Sequence, residues 1–362
     1  MPFIRKILPI AVLLACAFFI YSYVRSNLSD FTKVTEISLP YVLLIGCVSL
    51  AILVVNGLFL KVLTIGFGID LSFFEYFSIS IITNFGNIFL PMKGGAWFRA
   101  VYLKSHYNFD YSYFLSSLAA SYLVGFNIFS VTAMACLTLF YLYSGSFNLP
   151  VGLVFLGVAA FTSWAIFFPP HSLKWIPITW VRERADQVLS GWHIMRKSPK
   201  TVANLCWLAA LCVFLGATVT WLEFAAFKMQ DPSGQDIGFL QATIFTAIGS
   251  LALLVSITPA ALGIKESLLM FSSQFLGISQ SQALAVSLLD RSVNVVVLCL
   301  FFGLASIYIN KKFKIKNPGN LPPRGHGYRK YAADSSTMIS AKSVNQFTDS
   351  RIHPGPGPGG VR

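Results

Sequence analysis

Long apolar segments, separated by short polar or basic stretches, make up most of this chain. Each is near or above the ~20 residues with which a helix crosses a hydrocarbon core about 30 Å thick. A further apolar piece, residues 267–276, is too short to span a membrane as a helix. The pattern predicts an all-α polytopic membrane protein, a helical bundle with apolar segments at residues 7–24, 39–60, 73–90, 114–143, 151–168, 202–227, 237–257 and 282–309.

The first apolar segment follows Arg5 and Lys6, as the apolar region of a secretory signal peptide would. Ala15-Cys16-Ala17 resembles a cleavage site, but the apolar run continues beyond it through Tyr21. A run of this length is long enough to span, so the sequence favours an uncleaved membrane anchor.

Composition agrees with a membrane protein and adds a strong positive charge. Of 362 residues, 55% are hydrophobic and only 11% are charged, with a net charge of +13. Soluble domains carry roughly 25% charged residues, and the mean hydropathy of +0.67 points the same way. Residues 311–362 contain ten Lys/Arg and two acidic residues, so this tail holds most of the excess charge. The six cysteines all lie inside apolar runs without disulfide or metal-ligand spacing, so we expect no metal and no cofactor.

The distribution of basic residues predicts the topology, because cytoplasmic loops are enriched in Lys and Arg. Residues 92–110, 169–200 and 311–316 are basic, whereas residues 144–150 are uncharged and residues 229–236 contain only two acids. Placing both termini and the basic stretches in the cytoplasm requires two segments that begin and end on one side. These are residues 73–110, entered from the cytoplasm, and residues 237–281, entered from outside. Each is then a re-entrant helical hairpin; the alternative is two ordinary pairs of spans and eight or more crossings.

The two predicted hairpins share a sequence pattern. In each, a proline closes an apolar run, a glycine follows four positions later, and a charged residue follows three or four positions after the glycine. Because the halves face opposite sides of the membrane, the pattern is that of an inverted-topology repeat, which many transporters have. The residues of the first half are Asn84, Asn87, Pro91, Gly95 and Arg99, and those of the second are Pro259, Gly263, Lys265 and Glu266.

A helix broken at Pro and Gly exposes backbone N–H groups and a partial positive charge at the start of its second half. Such a site suits an anionic headgroup such as a lipid phosphate, assisted by Lys93, Arg99 or Lys265. The alternative is a structural turn between two ordinary spans.

Asp290 and Arg291 interrupt the last apolar segment at membrane depth, roughly 12–14 Å along a helix that begins at Gln282. Ionisable groups there need a partner or an aqueous cavity. We predict that Glu266 pairs with Arg291 and Lys265 with Asp290, either to contact substrate or to clamp two helices together. Glu75 and Glu223, near segment ends, are predicted to be interfacial and rank lower.

These motifs resemble the lysylphosphatidylglycerol synthase transmembrane-region family, whose members are flippase-like integral membrane proteins. The resemblance covers about residues 1–310, and it implies movement of a lipid or lipid-linked precursor between leaflets. The namesake enzymes add a soluble domain for aminoacyl transfer, and only 52 residues follow Asn310, so we expect a non-enzymatic protein. The candidate substrate-binding residues are Asn84, Asn87, Pro91, Gly95, Arg99, Pro259, Gly263, Lys265, Glu266, Asp290 and Arg291.

The sequence divides into a transmembrane domain, residues 1–310, and a basic cytoplasmic tail, residues 311–362, whose Pro, Gly, Ser and Lys content predicts disorder. The charges of residues 311–316 follow the last span, where they favour anionic headgroups. No groove-reading motif accompanies them, so nucleic acid is not an expected partner. Residues 175–196 predict an amphipathic helix at the interface.

We therefore expect membrane lipids with anionic headgroups as partners, and a bacterial inner membrane with both termini cytoplasmic as the location. Two alternatives to a flippase remain. One is a scaffold or accessory subunit that binds envelope-biosynthesis or glycosylation proteins. The other is a membrane enzyme acting on a lipid-linked substrate, although the sequence contains no HExxH, nucleophile elbow or P-loop.

Overall fold

The computed structural model describes residues 37–90, 94–145, 147–168, 182, 186, 192–193, 198–230, 234–252, 264–273 and 277–315. Within these ranges the chain forms nine α-helices, and its only extended pairing is an isolated bridge between Gln230 and Asp236. The helices are α1 (Leu39–Ile65), α2 (Phe73–Phe89), α3 (Gly94–Tyr107), α4 (Tyr111–Ser144), α5 (Leu149–Phe167), α6 (Pro199–Ala226), α7 (Phe239–Leu251), α8 (Ile264–Ser273) and α9 (Gln280–Ile315).

Five of these helices, α1, α4, α5, α6 and α9, are long and apolar enough to cross a membrane. Large apolar side chains remain exposed on them, for example Leu142, Trp207 and Leu300. Such surfaces suit lipid, which solvates apolar side chains as a protein core does. The predicted class, an all-α polytopic membrane protein, is confirmed.

The remaining helices are shorter and lie between the spans. Helix α8 has 10 residues and α7 has 13, as a pair of hairpin limbs requires. Helices α2 and α3 have 17 and 14 residues. At about 1.5 Å per residue, each is shorter than a hydrocarbon core of about 30 Å.

Two hairpins are held against the long helices by separate contacts. Helix α2 packs between α1 and α9, and α7 packs on α6 and α4, while α8 packs on α7 and α9. At one contact the backbones approach closely, because a Cβ on Gly57 of α1 would lie 2.6 Å from the ring of Tyr76 on α2. The first hairpin is therefore anchored by packing on both of its sides.

Several predicted features lie outside the described residues: the first span at 7–24, most of the linker 169–197 and the tail beyond residue 315. One linker residue, Trp192, is described and is only 5% exposed. It packs in the same apolar cluster as Leu60, Leu205 and Ile309. The linker thus contributes to the core near the predicted cytoplasmic ends of three spans.

Candidate functional site

Glycines bring α2 and α3 into backbone contact at the tip of the first hairpin. A Cβ on Gly95 would lie 1.8 Å from the carbonyl oxygen of Thr83, and a Cβ on Gly86 would lie 2.8 Å from the Cα of Gly95. No side chain fits at such distances. The predicted site residue Gly95 is therefore a structural requirement of the hairpin, and it sets the position of everything that follows on α3.

The two ends of the first hairpin meet at Glu75. Its Oε1 accepts hydrogen bonds of 2.6 Å from the hydroxyls of Tyr102 and Tyr107 on α3, and its Oε2 accepts one from Lys312 near the end of α9. The start of α2, the end of α3 and the end of α9 therefore lie together. A re-entrant hairpin requires this arrangement; its depth in a bilayer and the inverted relation of the two hairpins stay predictions.

Glu75 is 1% exposed and therefore lies buried within the protein, while its position at the membrane interface stays a prediction. Burial by itself raises the pKa of Glu75, but the hydrogen bonds from Lys312, Tyr102 and Tyr107 outweigh burial and hold the pKa below its usual value. Glu75 is thus a carboxylate that ties three helices together.

Near the tip of the first hairpin, buried polar atoms without a hydrogen-bond partner include Thr83 Oγ1, Asn87 Oδ1 and Arg99 Nε. Thr83 and Asn87 are four residues apart on α2 and both approach Gly95. Arg99 lies four residues beyond Gly95, on the same side of α3. We call Thr83, Asn87 and Arg99 the arginine cluster. Asn84, by contrast, donates to the carbonyl oxygen of Ser80 at 2.9 Å, a contact within its own helix.

Arg99 is partly buried, and it differs from Lys265, Arg291 and Lys312 because no carboxylate among the described residues pairs with it. The ionisable side chain that interacts with it electrostatically is Tyr122 on α4. A buried guanidinium without a counter-ion is costly. The arginine cluster therefore contains a positive charge that no carboxylate of the described residues balances.

A second cluster joins the start of α8 to the middle of α9. Lys265 Nζ lies 2.6 Å from Asp290 Oδ2, and Arg291 Nη2 lies 2.6 Å from Glu266 Oε1. Both predicted pairings are therefore confirmed. Neutral donors complete the arrangement: Ser287 Oγ to Glu266 at 3.1 Å and Asn294 Nδ2 to Asp290 at 2.9 Å.

Glu223 on α6 extends this second cluster. It is 1% exposed, its Oε1 has no hydrogen-bond partner, and its carboxyl group interacts electrostatically with Asp290 and Lys265. Its position at the membrane interface likewise stays a prediction. The sequence does contain a signal for its burial, because Ala217, Thr220 and Phe224 occur at helical spacing beside it and are buried. We call Glu223, Lys265, Glu266, Asp290 and Arg291 the five-charge cluster.

The predicted site residues thus fall into two groups. The structure brings Asn87 next to Gly95, with Arg99 one helical turn further along α3, and it places Lys265, Glu266, Asp290 and Arg291 together. Pro91, Pro259 and Gly263, as well as Lys93, lie outside the described residues, so the helix breaks at these positions stay predictions.

Fold and site together define an all-α membrane protein with two hairpins that carry buried charges between its spans. The family model described as the lysylphosphatidylglycerol synthase TM region matches residues 6–301, and the chain belongs to this family. The match includes every residue of both clusters. No curated protein matches the chain.

Proposed function

We propose that this protein moves a lipid, or a lipid-linked precursor, with an anionic headgroup between the leaflets of a bacterial inner membrane. The observation that carries the proposal is Arg99, a partly buried cation whose Nε is buried without a hydrogen-bond partner and which has no carboxylate partner in the described part of the chain. A headgroup phosphate accepts the paired N–H donors of a guanidinium. Thr83 on the facing helix adds a hydroxyl that can donate a hydrogen bond and has no partner, whereas the unpartnered atom of Asn87 is Oδ1, an acceptor.

Burial of Arg99 on a short hairpin supports transport over simple lipid binding. A surface-bound headgroup needs only exposed Lys or Arg at the interface. Arg99 lies on α3, one helical turn beyond the Gly86–Gly95 contact. A cation at this position can pair with a headgroup that has left the membrane interface. A cation at this position agrees with the flippase-like roles of the family. We therefore infer lipid transport without aminoacyl-transfer chemistry.

The proposed orientation places both termini in the cytoplasm. It is supported by the basic residues of 92–110 and 311–316 and by the contact of Lys312 with Glu75, which brings those two stretches to one end of the bundle. Membrane lipids are then the principal partners, and envelope-biosynthesis proteins are the class that would supply or receive the cargo.

The test is leaflet exchange in liposomes that contain the purified full-length protein. Fluorescent phosphatidylglycerol and phosphatidylcholine serve as probes, and dithionite, which bleaches only outer-leaflet label, reports exchange. With fluorescent phosphatidylglycerol, we expect dithionite to bleach a larger fraction of the label than the outer leaflet alone contains. In Arg99→Gln this excess should be lost.

Lys104→Gln is the matched control, since Lys104 lies on the same helix but forms an exposed pair with Asp110 at 2.5 Å. It should exchange lipid like the unchanged protein. Equal exchange in Arg99→Gln and Lys104→Gln, or no exchange of any anionic lipid in a broad panel, would contradict the proposal and favour an accessory role.

A further inference from the structure

We propose that the five-charge cluster binds one proton, at Glu223, and that this proton is coupled to lipid movement. The coupling rests on the proposed function; the proton site itself does not. The site follows from the charge balance of the cluster and from Glu223, which is 1% exposed and whose Oε1 has no hydrogen-bond partner.

The cluster contains three carboxyl groups and two cations. Lys265 and Arg291 are each within 2.6 Å of their own carboxylate, Asp290 and Glu266. Glu223 is the third acid, and among the described residues no cation of the cluster remains to pair with it. With all five groups ionised, the cluster would carry a net charge of −1 inside the protein.

In the part of the chain that the structure describes, the helices around Glu223 supply no further cation. Helices α4 and α7 contain no charged residue, and the only one on α1, Lys61, pairs with Asp70 at 3.2 Å. The charged side chains that face Glu223 are Asp290 of α9 and Lys265 of α8. Among other titratable groups, the Cys136 thiol of α4 packs in the same apolar cluster as Phe224. The adjoining segments 253–263 and 274–276 contain no Lys, Arg or His.

An uncompensated buried charge is more costly than a neutral carboxylic acid, so such a group takes up a proton instead. Asp290 adds to this effect because its negative charge lies near Glu223. Protonation also supplies a donor, which a carboxylate lacks. A proton at Glu223 therefore makes the cluster neutral while both ion pairs stay intact.

The position of Glu223 suits exchange with the outside. It lies three residues before the end of α6, next to the predicted external loop, while the paired groups lie deeper along α9. Release of the proton would leave Lys265 to be shared between Asp290 and Glu223. Because Lys265 is on a hairpin limb and Asp290 on a span, this redistribution of charge acts on the contact between α8 and α9.

Infrared difference spectroscopy of the full-length protein in lipid nanodiscs tests the proton site without any transport assay. We expect a carboxylic-acid C=O band at neutral pH that shifts in D2O and is lost in Glu223→Gln. Asp290→Asn should also lose the band, because Lys265 is then free to pair with an ionised Glu223. Glu75→Gln is the matched control: Glu75 is equally buried but has Lys312 as partner, so its removal should leave the band unchanged.

The proposal is overturned if the unchanged protein lacks the band, if the band persists in Glu223→Gln or Asp290→Asn, or if sodium ions displace it, which would make the site an alkali-cation site.

Coupling is then measured with fluorescent phosphatidylglycerol in liposomes under a pH gradient. We expect the gradient to change the exchange rate several-fold in the unchanged protein and not in Glu223→Gln. Exchange that ignores the gradient in a protein with the band would overturn coupling alone, and a band without any exchange would contradict the proposed function alone.

Discussion

Lys312, near the end of α9, donates a hydrogen bond to Glu75, near the start of α2, across 237 positions of sequence. This contact joins the first hairpin to the last span. Tyr102 and Tyr107 donate to the same carboxylate from α3, so one side chain gathers both ends of the hairpin.

Replacing Lys312 by Met should destabilise the protein, since Glu75 would remain buried with only two neutral donors. Lys312 is 35% exposed, so we expect a loss of about 1–3 kcal/mol, below the roughly 3–5 kcal/mol of a fully buried pair. The loss of stability is measured by thermal unfolding in detergent, followed by size-exclusion chromatography. Lys311→Met is the control, because Lys311 is exposed. Equal melting of both variants would show that the contact contributes little.

The glycine contact between α2 and α3 gives a sharper prediction. Gly95→Ala places a Cβ 1.8 Å from the Thr83 carbonyl oxygen, so the two helices must separate. Overpacking typically costs about 1–3 kcal/mol, and a clash with backbone should reach or exceed the upper value. Gly125→Ala on α4 has no heavy atom within 4 Å of the added Cβ and should be neutral or slightly stabilising, because Ala favours helix.

The readout for both glycine variants is the melting temperature together with lipid exchange. Gly95→Ala should lower both, since Arg99 depends on the hairpin for its position, and Gly125→Ala should lower neither. If Gly95→Ala has the same melting temperature as Gly125→Ala, the hairpin tolerates a wider separation of α2 and α3.

The pair of Arg291 and Glu266 serves either as a clamp or in transport, and a double variant separates these roles. Removing one partner leaves a buried charge, which costs about 3–5 kcal/mol, whereas removing both is often nearly neutral. We expect Glu266→Gln with Arg291→Gln to fold and insert normally but to lose lipid exchange, while each single variant melts earlier. Normal exchange in the folded double variant would identify the pair as a clamp only.

The sequence alone predicts the charge pairs of α8 and α9 because charges at membrane depth are few and must find partners. It also predicts the spans, since hydropathy reports directly on burial in lipid. It does not predict the burial of Glu75, whose partner Lys312 lies 237 positions further along the chain, and for Glu223 it offers only the helical spacing of its neighbours on α6. Nor does it reveal the Gly86–Gly95 contact, because the distance between two backbones depends on how α2 and α3 pack and not on local pattern.

The lengths of α2 and α3 predict how the first hairpin sits in the membrane. With 17 and 14 residues, they extend about 25 Å and 21 Å, short of a hydrocarbon core of about 30 Å. A cysteine at Met92, between the two helices in sequence, should therefore resist a membrane-impermeant maleimide added outside. In a cysteine-free background, Asp70→Cys and Asp110→Cys, at the two ends, should be labelled only from the cytoplasmic side. Tyr143→Cys, 82% exposed at the far end of α4, should be labelled only from outside. External labelling of Met92→Cys at the rate of Tyr143→Cys would instead establish two ordinary spans and move the arginine cluster toward the outer leaflet.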